Sequence, residues 1–379
     1  MIRIKSDKII VGESLFDGYI YIDGDKIAGL SAEPLDADTC LDYTGNYVSP
    51  GFIDAHTHGA AGCSFMFGSA QDVAKACDTH MQNGTTTILP TISACDIATM
   101  DKALENIAKA KSLTKANLLG AHLEGPYFAP TQAGAQSTDF ITEPKKEDYQ
   151  ALVKKHGAHI ARWSYAPERD ADGEFCKFVA AHGIMPSAGH TDATYADIAV
   201  AIESGCRLIT HLYSATSTVR REFGFRKLGV IESCFLRDEL TAELIADGKH
   251  LPPELIQMIV KIKGSDNVIV CTDSLEITAT DVKQGVSGHT EFIVEDGVCK
   301  LKDRSAFAGS IATANRLIAV LTKECGFDVP TAVKMMTTNV ARLFGLNKGV
   351  LKAGADADVV VFDQDVNLKA VFVMGKKEA

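Results

Sequence analysis

No two cysteines of this sequence form a C-x-x-C pair. The ten cysteines of the 379-residue chain stand singly between Cys40 and Cys325. This scatter argues against a zinc ribbon and against a disulfide framework, which both depend on regularly spaced cysteine pairs. We therefore expect reduced and mostly buried thiols.

The sequence also lacks a long apolar run. No stretch approaches the roughly 20 apolar residues that cross a bilayer. The first five residues lead directly into strand-like sequence, without the apolar core of a signal peptide. We expect a cytoplasmic protein with no membrane partner.

Positive charge is in deficit. The chain has 38 Lys and Arg residues against 49 Asp and Glu residues, which gives a net charge of −11. This balance argues against a nucleic acid or a membrane surface as the main partner. An anionic ligand would need its own local basic patch.

Both ends of the chain are rich in short β-prone runs. Residues 2–4, 8–11 and 19–22 are such runs, and the turn at Asp23-Gly24 predicts a hairpin with residues 26–30. Residues 358–363 and 369–375 are again strand-like. Because neither end has enough strands for its own core, we expect both to meet in one small β-sandwich. This predicts a small domain of residues 1–50 and 347–379 beside a large domain of residues 51–346.

The middle of the chain alternates strand-like and helical segments, which indicates a parallel α/β architecture. Eight parallel strands predict a TIM-type (β/α)8 barrel, whose chemistry lies at the strand C-terminal ends. A hairpin of residues 291–294 and 298–301 follows the last strand. The predicted strands begin at residue 52 and continue at residues 85–89, 117–124, 160–166, 184–190, 207–211, 241–246 and 268–273.

Metal-binding residue types stand where these strands end. His56 and His58 are two apart in a strand, so both side chains leave the same face. Because the ends of barrel strands surround one mouth, we expect all such residues to converge there. Nitrogen and carboxylate ligands suit Zn²⁺ or Fe²⁺. The candidate ligands are His56, His58, Glu124, His190, His211 and Asp273.

Other histidines do not stand at strand ends. We place them in helices or loops and expect ordinary surface or core roles for them. They are His80, His156, His159, His182 and His289.

Several segments together resemble the amidohydrolase superfamily and, within it, the N-acetylglucosamine-6-phosphate deacetylases. The resemblance covers nearly the whole chain. Residues 50–59, which contain His56 and His58, are similar to a motif of the superfamily. The segments similar to deacetylase motifs are His122-Leu123-Glu124-Gly125-Pro126, residues 189–194 around His190, Thr210-His211-Leu212-Tyr213, residues 245–250 and Thr272-Asp273.

This resemblance implies a role for each candidate ligand. Glu124, His190 and His211 would bind the principal metal. His56 and His58 would bind a second metal, bridged by Glu124 and completed by Asp273, so one or two metals per subunit are expected. Asp273 would also act as general base and then general acid. His250 would lie beside the acyl carbonyl of the substrate.

The fourth predicted strand ends without a lysine. Relatives such as urease and dihydroorotase bridge two metals with a carboxylated lysine at this position, whereas this chain has Tyr165-Ala166-Pro167-Glu168. Glu124 is the obvious substitute for that bridge. This points away from hydrolases of cyclic imides and toward the deacetylases.

The resemblance also implies substrate contacts. Arg221, in the basic stretch 220–227, would reach the phosphate of a substrate in the neighbouring subunit of a homodimer. Ala308 and Gly309 would close a pocket for a short acyl group. The sequence departs from the deacetylase pattern at Gln136, where the family has histidine, and at Phe223, where the family has proline. It also departs at Ser214 and Thr216, on either side of the matching Ala215, where the family has asparagine and methionine.

These departures lie on the sugar and phosphate side of the expected site. The resemblance implies hydrolysis of N-acetylglucosamine 6-phosphate to glucosamine 6-phosphate and acetate. N-acetylgalactosamine 6-phosphate and an unphosphorylated N-acyl amino sugar remain open as substrates. An N-acyl amino acid deacylase and a non-catalytic binding protein are further alternatives.

Overall fold

The computed structural model of the chain describes residues 1–287 and 290–379. One histidine to which we assigned an ordinary role, His289, lies outside the described residues.

Eight parallel strands form a nearly closed barrel and follow one another around it in chain order. The Asp273 amide donates to the His56 carbonyl at 2.9 Å, which joins the last strand to the first. The predicted (β/α)8 barrel is confirmed. Barrel strands one to eight are Phe52–Thr57, Thr85–Ile92, Ala121–Glu124 (preceded by the short strand Asn117–Leu118), Ile160–Tyr165, Met185–Ala188, Leu208–Ile209, Thr241–Ile245 and Val268–Cys271.

Helices follow the barrel strands, and their starts agree with the capping residues in the sequence. Ser69 and Asp72 form a reciprocal capping box at the first helix, and the Asp96 carboxylate caps the second. The helices are Ala70–Gln82, Ile97–Ala110, Lys146–His156, Glu174–Ala181, Tyr195–Glu203, Val230–Leu236, Pro253–Lys263, Ala314–Ala319, Val329–Met335 and Thr338–Leu343. In the described part of the chain, no helix is both long and apolar enough to cross a membrane.

Three predicted strands were too long at their C-terminal ends. We expected strands five, six and eight to include His190, His211 and Asp273, but each strand stops two residues earlier. These three residues have φ values of 48°, 28° and 48°. A positive φ takes the backbone out of the β region and ends the strand ladder, so each side chain turns toward the barrel mouth.

Strands from both termini form a separate sheet, which confirms that the two chain ends meet. We predicted a β-sandwich, and the described strands belong to one hydrogen-bonded sheet. Tyr47–Pro50 pairs with Val359–Phe362, so the two chain ends are hydrogen-bonded to each other. The first strand is continuous, with a register shift between Ser6 and Ile9 where we predicted two runs. The strands of this terminal sheet are Ile2–Val11, Ser14–Asp23, Lys26–Ser31, Thr39–Asp42, Tyr47–Pro50, Val359–Phe362, Leu368–Val373 and Lys376–Lys377.

The terminal sheet covers its own apolar cluster, which includes Ile4, Ile20, Val48, Val361 and Phe372. A second and larger cluster lies around the barrel. We propose two domains, residues 1–50 with 347–379 and residues 51–346. They share a packed boundary, since the larger cluster also contains Ile10, Val360 and Phe362 of the terminal sheet.

Smaller antiparallel elements surround the barrel mouth. The insert sheet contains the predicted hairpin, and its described strands are Gln284–Ser287, Thr290–Glu295, Val298–Leu301 and Phe307–Gly309. Two short hairpins pair Gly59–Ala60 with Cys63–Ser64, and Arg220–Glu222 with Phe225–Lys227.

The interior of the barrel is layered. Its floor is apolar and includes Ile53, Leu89, Leu208 and Ile269, packed against the helix that contains Val340. The layer above is polar and contains Arg162 and Glu243, both with no exposed side-chain surface. The candidate metal ligands lie above that layer, at the C-terminal ends of the strands where TIM barrels place their active sites.

Candidate active site

The predicted metal ligands converge around the Glu124 carboxylate, whose side chain is only 2% exposed. Glu124 Oε1 lies 3.1 Å from His190 Nε2 and 3.1 Å from His211 Nε2. The same oxygen lies 3.4 Å from His56 Nε2. Four residues distant in the sequence therefore direct their polar atoms at one point.

The tautomers of two histidines can be assigned from their partners. His190 Nδ1 lies 2.9 Å from the Gln132 carbonyl oxygen, and His211 Nδ1 lies 3.1 Å from the Ser214 carbonyl oxygen. A carbonyl oxygen only accepts, so each Nδ1 carries a proton. In the neutral ring, each Nε2 then presents a lone pair to Glu124.

Two lone-pair acceptors 3.1 Å apart repel one another unless a cation lies between them. A proton on each ring or a divalent metal would relieve this repulsion. Metal-binding histidines commonly donate their other ring nitrogen to a carbonyl or carboxylate, as both of these rings do. The arrangement thus fits a metal site.

A second possible ligand group adjoins the first. His58 Nε2 lies 3.1 Å from Asp273 Oδ1 and 3.4 Å from Glu124 Oε2. His56 Nε2 lies 3.3 Å from Asp273 Oδ1, yet this buried atom has no hydrogen-bond partner. An unpartnered buried nitrogen between two carboxylates is a further feature that a metal would satisfy.

The electrostatics of the cluster favour bound positive charge. Burial lowers the pKa of His56, but the Glu124 and Asp273 carboxylates outweigh that effect and raise it to about 10. Burial raises the pKa values of Glu124 and Asp273, but the neighbouring histidines lower both below their usual values. Both carboxylates are therefore ionised, and together they attract a cation.

A buried ion pair supports the cluster from below. Glu243 Oε1 lies 3.2 Å from His56 Nδ1 and accepts a 2.9 Å hydrogen bond from Arg162 Nη2. Arg162 also donates to the Ala55 carbonyl at 3.1 Å. Glu243 thereby assigns the Nδ1 proton of His56, so a metal bound at Nε2 would take the place of the second ring proton.

We did not predict Arg162 or Glu243 from the sequence. The sequence does show one charged residue inside each of two apolar barrel strands, Arg162 in strand four and Glu243 in strand seven. A charge buried in such a strand needs a partner of opposite sign.

His122, whose motif we noted without assigning a role, lies in the same layer. Burial and the nearby Arg162 charge hold its pKa well below the usual value, so its ring is neutral.

A third group of possible ligands consists of His56, Glu243 and Cys271. Glu243 is already neutralised by Arg162, and burial raises the pKa of the Cys271 thiol well above its usual value. This group is therefore a poorer metal site.

Strand four supplies Arg162 and Ser164 to the interior, and it contains no lysine, as predicted.

A pocket of about 290 Å³ opens above the candidate metal ligands. Most of the predicted substrate contacts line it. These are Gln136, Ser214, Ala215, His250, Ala308 and Gly309.

Arg221 does not line the pocket. It is exposed on the hairpin whose tip carries Phe223, which is 99% exposed. Among the described residues, no lysine or arginine lines the pocket.

His250 is held by the carboxylate of Asp247, a residue for which we predicted no role from the sequence. His250 Nδ1 lies 2.8 Å from Asp247 Oδ2, and Asp247 Oδ1 accepts the backbone amide of His250 at 2.8 Å. Burial raises the pKa of Asp247, but the hydrogen bonds from His250 lower it below its usual value. The carboxylate is thus ionised and fixes the imidazole ring.

Comparison with known proteins identifies the class. A sequence model described as the amidohydrolase family matches residues 47–377. The chain therefore belongs to the amidohydrolase family and is a hydrolase of amide bonds. The barrel and its cluster of histidines and carboxylates, which is able to bind a metal, agree with this class.

Within this family, the chain belongs with the N-acetylglucosamine-6-phosphate deacetylases. The enzyme of that name from Bacillus subtilis is 31% identical over 375 residues, which cover 96% of this chain and 93% of the relative. That of Lysinibacillus sphaericus is 29% identical over 340 residues, 89% of this chain and 86% of the relative. The crystal structure of the Mycobacterium smegmatis enzyme matches with a TM-score of 0.93 at 26% identity, covering 100% of both chains.

Replacement of His56 tests the second ligand group. We predict that His56→Ala lowers the zinc content of the reconstituted protein toward one ion per subunit and leaves measurable hydrolysis, because His190, His211 and Glu124 remain in place. Elemental analysis after removal of free metal gives the content. His182→Ala, at an exposed histidine whose Nδ1 contacts the Phe178 carbonyl, is the matched control. Equal zinc content in the His56→Ala and parent proteins would contradict a ligand role for His56.

Proposed function

We propose that this chain hydrolyses the N-acetyl amide of N-acetylglucosamine 6-phosphate to glucosamine 6-phosphate and acetate. The observation that carries the proposal is Glu124 Oε1 facing the Nε2 atoms of three histidines, with Asp273 and His250 at the same pocket. The relatives of this name match nearly the full chain. One solved relative, an aspartate-to-alanine mutant of the Mycobacterium smegmatis enzyme, is in complex with N-acetyl-D-glucosamine 6-phosphate (TM-score 0.92, 25% identity, 99% of this chain and 98% of that chain).

Glu124, His190 and His211 would hold the principal metal, and His56, His58 and Asp273 would hold a second. The nitrogen and carboxylate donors suit Zn²⁺ or Fe²⁺. When bound, the metal polarises the amide carbonyl and makes a water molecule more acidic. One ion is sufficient for this chemistry, and the second group makes two possible.

Asp273 is the proposed proton carrier. Both of its histidine contacts are made through Oδ1, so we assign the proton transfer to Oδ2. The backbone fixes the residue, since its amide donates to the His56 carbonyl at 2.9 Å and its carbonyl accepts from Ser310 at 3.0 Å. As an ionised carboxylate, Asp273 takes a proton from the attacking water and then gives it to the leaving amine nitrogen.

His250 is the proposed donor to the acyl oxygen. Its Nδ1 proton is directed at Asp247, so a hydrogen bond from Nε2 to the substrate requires a proton on both ring nitrogens. The ionised Asp247 carboxylate accepts the Nδ1 proton and keeps Nε2 directed away from it. A donor of this kind is worth about 2.7–4 kcal/mol when it stabilises a developing oxyanion.

The acyl pocket is closed by small residues. Ala308 and Gly309 line it, and a Cβ atom at Gly309 would lie 2.9 Å from the Leu275 side chain. The positive φ of 147° at Gly309 also favours glycine. A short acyl group such as acetyl suits this wall.

We propose a homodimer in which Arg221 contacts the substrate phosphate of the neighbouring subunit. Its support is the exposed hairpin that presents Arg221 and the described pocket lining, which contains no lysine or arginine. An arginine matches phosphate oxygens with two parallel donors.

We also propose a cytoplasmic location, since nine of the ten cysteines are free and buried, as suits a reducing compartment.

A substrate panel tests the proposed reaction. We expect acetate release from N-acetylglucosamine 6-phosphate to exceed that from N-acetylgalactosamine 6-phosphate, from the unphosphorylated sugars and from N-acetyl amino acids. Turnover of N-acetyl amino acids with none of amino sugars would contradict the proposal.

Replacement of Asp273 tests the proton carrier. Asp273→Asn should keep metal at the principal site and lose turnover, because an amide cannot carry the proton. Near-normal activity of this variant would contradict the proposal.

Subunit mixing tests the role of Arg221. We predict that Arg221→Ala lowers kcat/KM for the phosphorylated sugar about 10- to 100-fold, as the loss of a charged hydrogen bond of about 1.5–3 kcal/mol implies. Hybrid dimers of Arg221→Ala with Asp273→Asn, purified through two different tags, should regain activity because one of their two sites is complete. Arg226→Ala, at the cross-strand partner of Arg221, is the control. Inactive hybrids would show that Arg221 does not serve the neighbouring site.

A further inference from the structure

Gln136 lies at the pocket wall but uses its side chain on the protein itself. It stands in the loop after barrel strand three, and its backbone amide donates to the Ala133 carbonyl at 2.9 Å in a turn. Its side-chain amide lies between barrel strand two and barrel strand three. It bridges the backbone of Ala94 and the carboxylate of Glu124.

The orientation of this amide is determined by its partners. The Ala94 backbone N–H is a donor, so the atom 2.9 Å from it is the amide oxygen Oε1. The amide nitrogen Nε2 then points at Glu124 Oε2, 2.8 Å away. A flipped amide would place two donors together at Ala94 and two acceptors together at Glu124, so this orientation is the one that satisfies both ends.

This contact fixes the end of Glu124 that the principal histidines do not face. Glu124 Oε1 is directed at His190 and His211, whereas Oε2 has Gln136 at 2.8 Å and His58 at 3.4 Å. With a metal ion at Oε1 and the Gln136 amide at Oε2, the carboxylate would be restrained against rotation about its terminal bond. Partners of this kind orient a metal ligand without touching the metal.

We infer that Gln136 is a positioning residue for the metal-binding carboxylate Glu124, and that it contributes to metal affinity in addition to lining the substrate pocket. Both polar atoms of its amide are already engaged within the protein. A substrate hydroxyl could use only the second Nε2 hydrogen or the second Oε1 lone pair. The inference rests on the metal-binding part of the proposed function.

The test is the zinc affinity of Gln136→Met, which has a similar shape but neither donor nor acceptor. Competition against a chromophoric chelator, with Zn²⁺ alone and no substrate, should show a 10- to 100-fold loss of affinity. The matched control is Gln257→Met, since Gln257 donates to the Cys325 carbonyl at 2.7 Å and does not line the pocket. The absorption spectrum of the Co²⁺ form should change in Gln136→Met and not in the control.

Gln136→Asn provides a second variant in case Gln136→Met does not fold. Its amide is one carbon shorter and cannot span from Ala94 to Glu124, so the same loss is expected. Parent-like zinc affinity in a folded variant, with only KM for the sugar raised, would overturn the inference and leave the proposed function intact. A parent protein that binds no metal would overturn both.

Discussion

The Glu124 carboxylate and the imidazoles that face it form the interaction on which the rest of the site depends. A buried carboxylate surrounded by ring nitrogens is costly unless positive charge lies among them. The backbone carbonyls of Gln132 and Ser214 fix the proton positions on His190 and His211, so each ring offers a lone pair at the centre. The cluster is therefore prepared for a cation by hydrogen bonds that lie outside the cluster itself.

The barrel provides this arrangement through its layered interior. Apolar residues form the floor, and the ion pair of Arg162 and Glu243 occupies the layer between the floor and the site. Glu243 is neutralised on one side by Arg162 and contacts His56 Nδ1 on the other at 3.2 Å. The two buried charges thus neutralise each other, and Glu243 also orients the candidate ligand His56. Through this pair, the packing of the barrel interior supports the chemistry at the barrel mouth.

The candidate ligands were predictable from the sequence because each stands at the end of an apolar run, and parallel strands bring such ends together. The positions at which the strands end were not predictable, because positive φ values at His190, His211 and Asp273 end the strands early. The support beneath the site was also missed. Arg162 and Glu243 are 81 residues apart, and Gln136 and Ala94 are 42 apart. No local pattern pairs residues at such distances, whereas the barrel geometry does.

The most direct test of the central claim is the position of bound metal in a crystal of the zinc-loaded protein, measured by anomalous scattering at the zinc edge. We predict a peak enclosed by Glu124 Oε1 and the Nε2 atoms of His190 and His211. A second peak beside His56, His58 and Asp273 is expected if the site holds two ions. Zinc located elsewhere, or absent while the three side chains keep their arrangement, would contradict it.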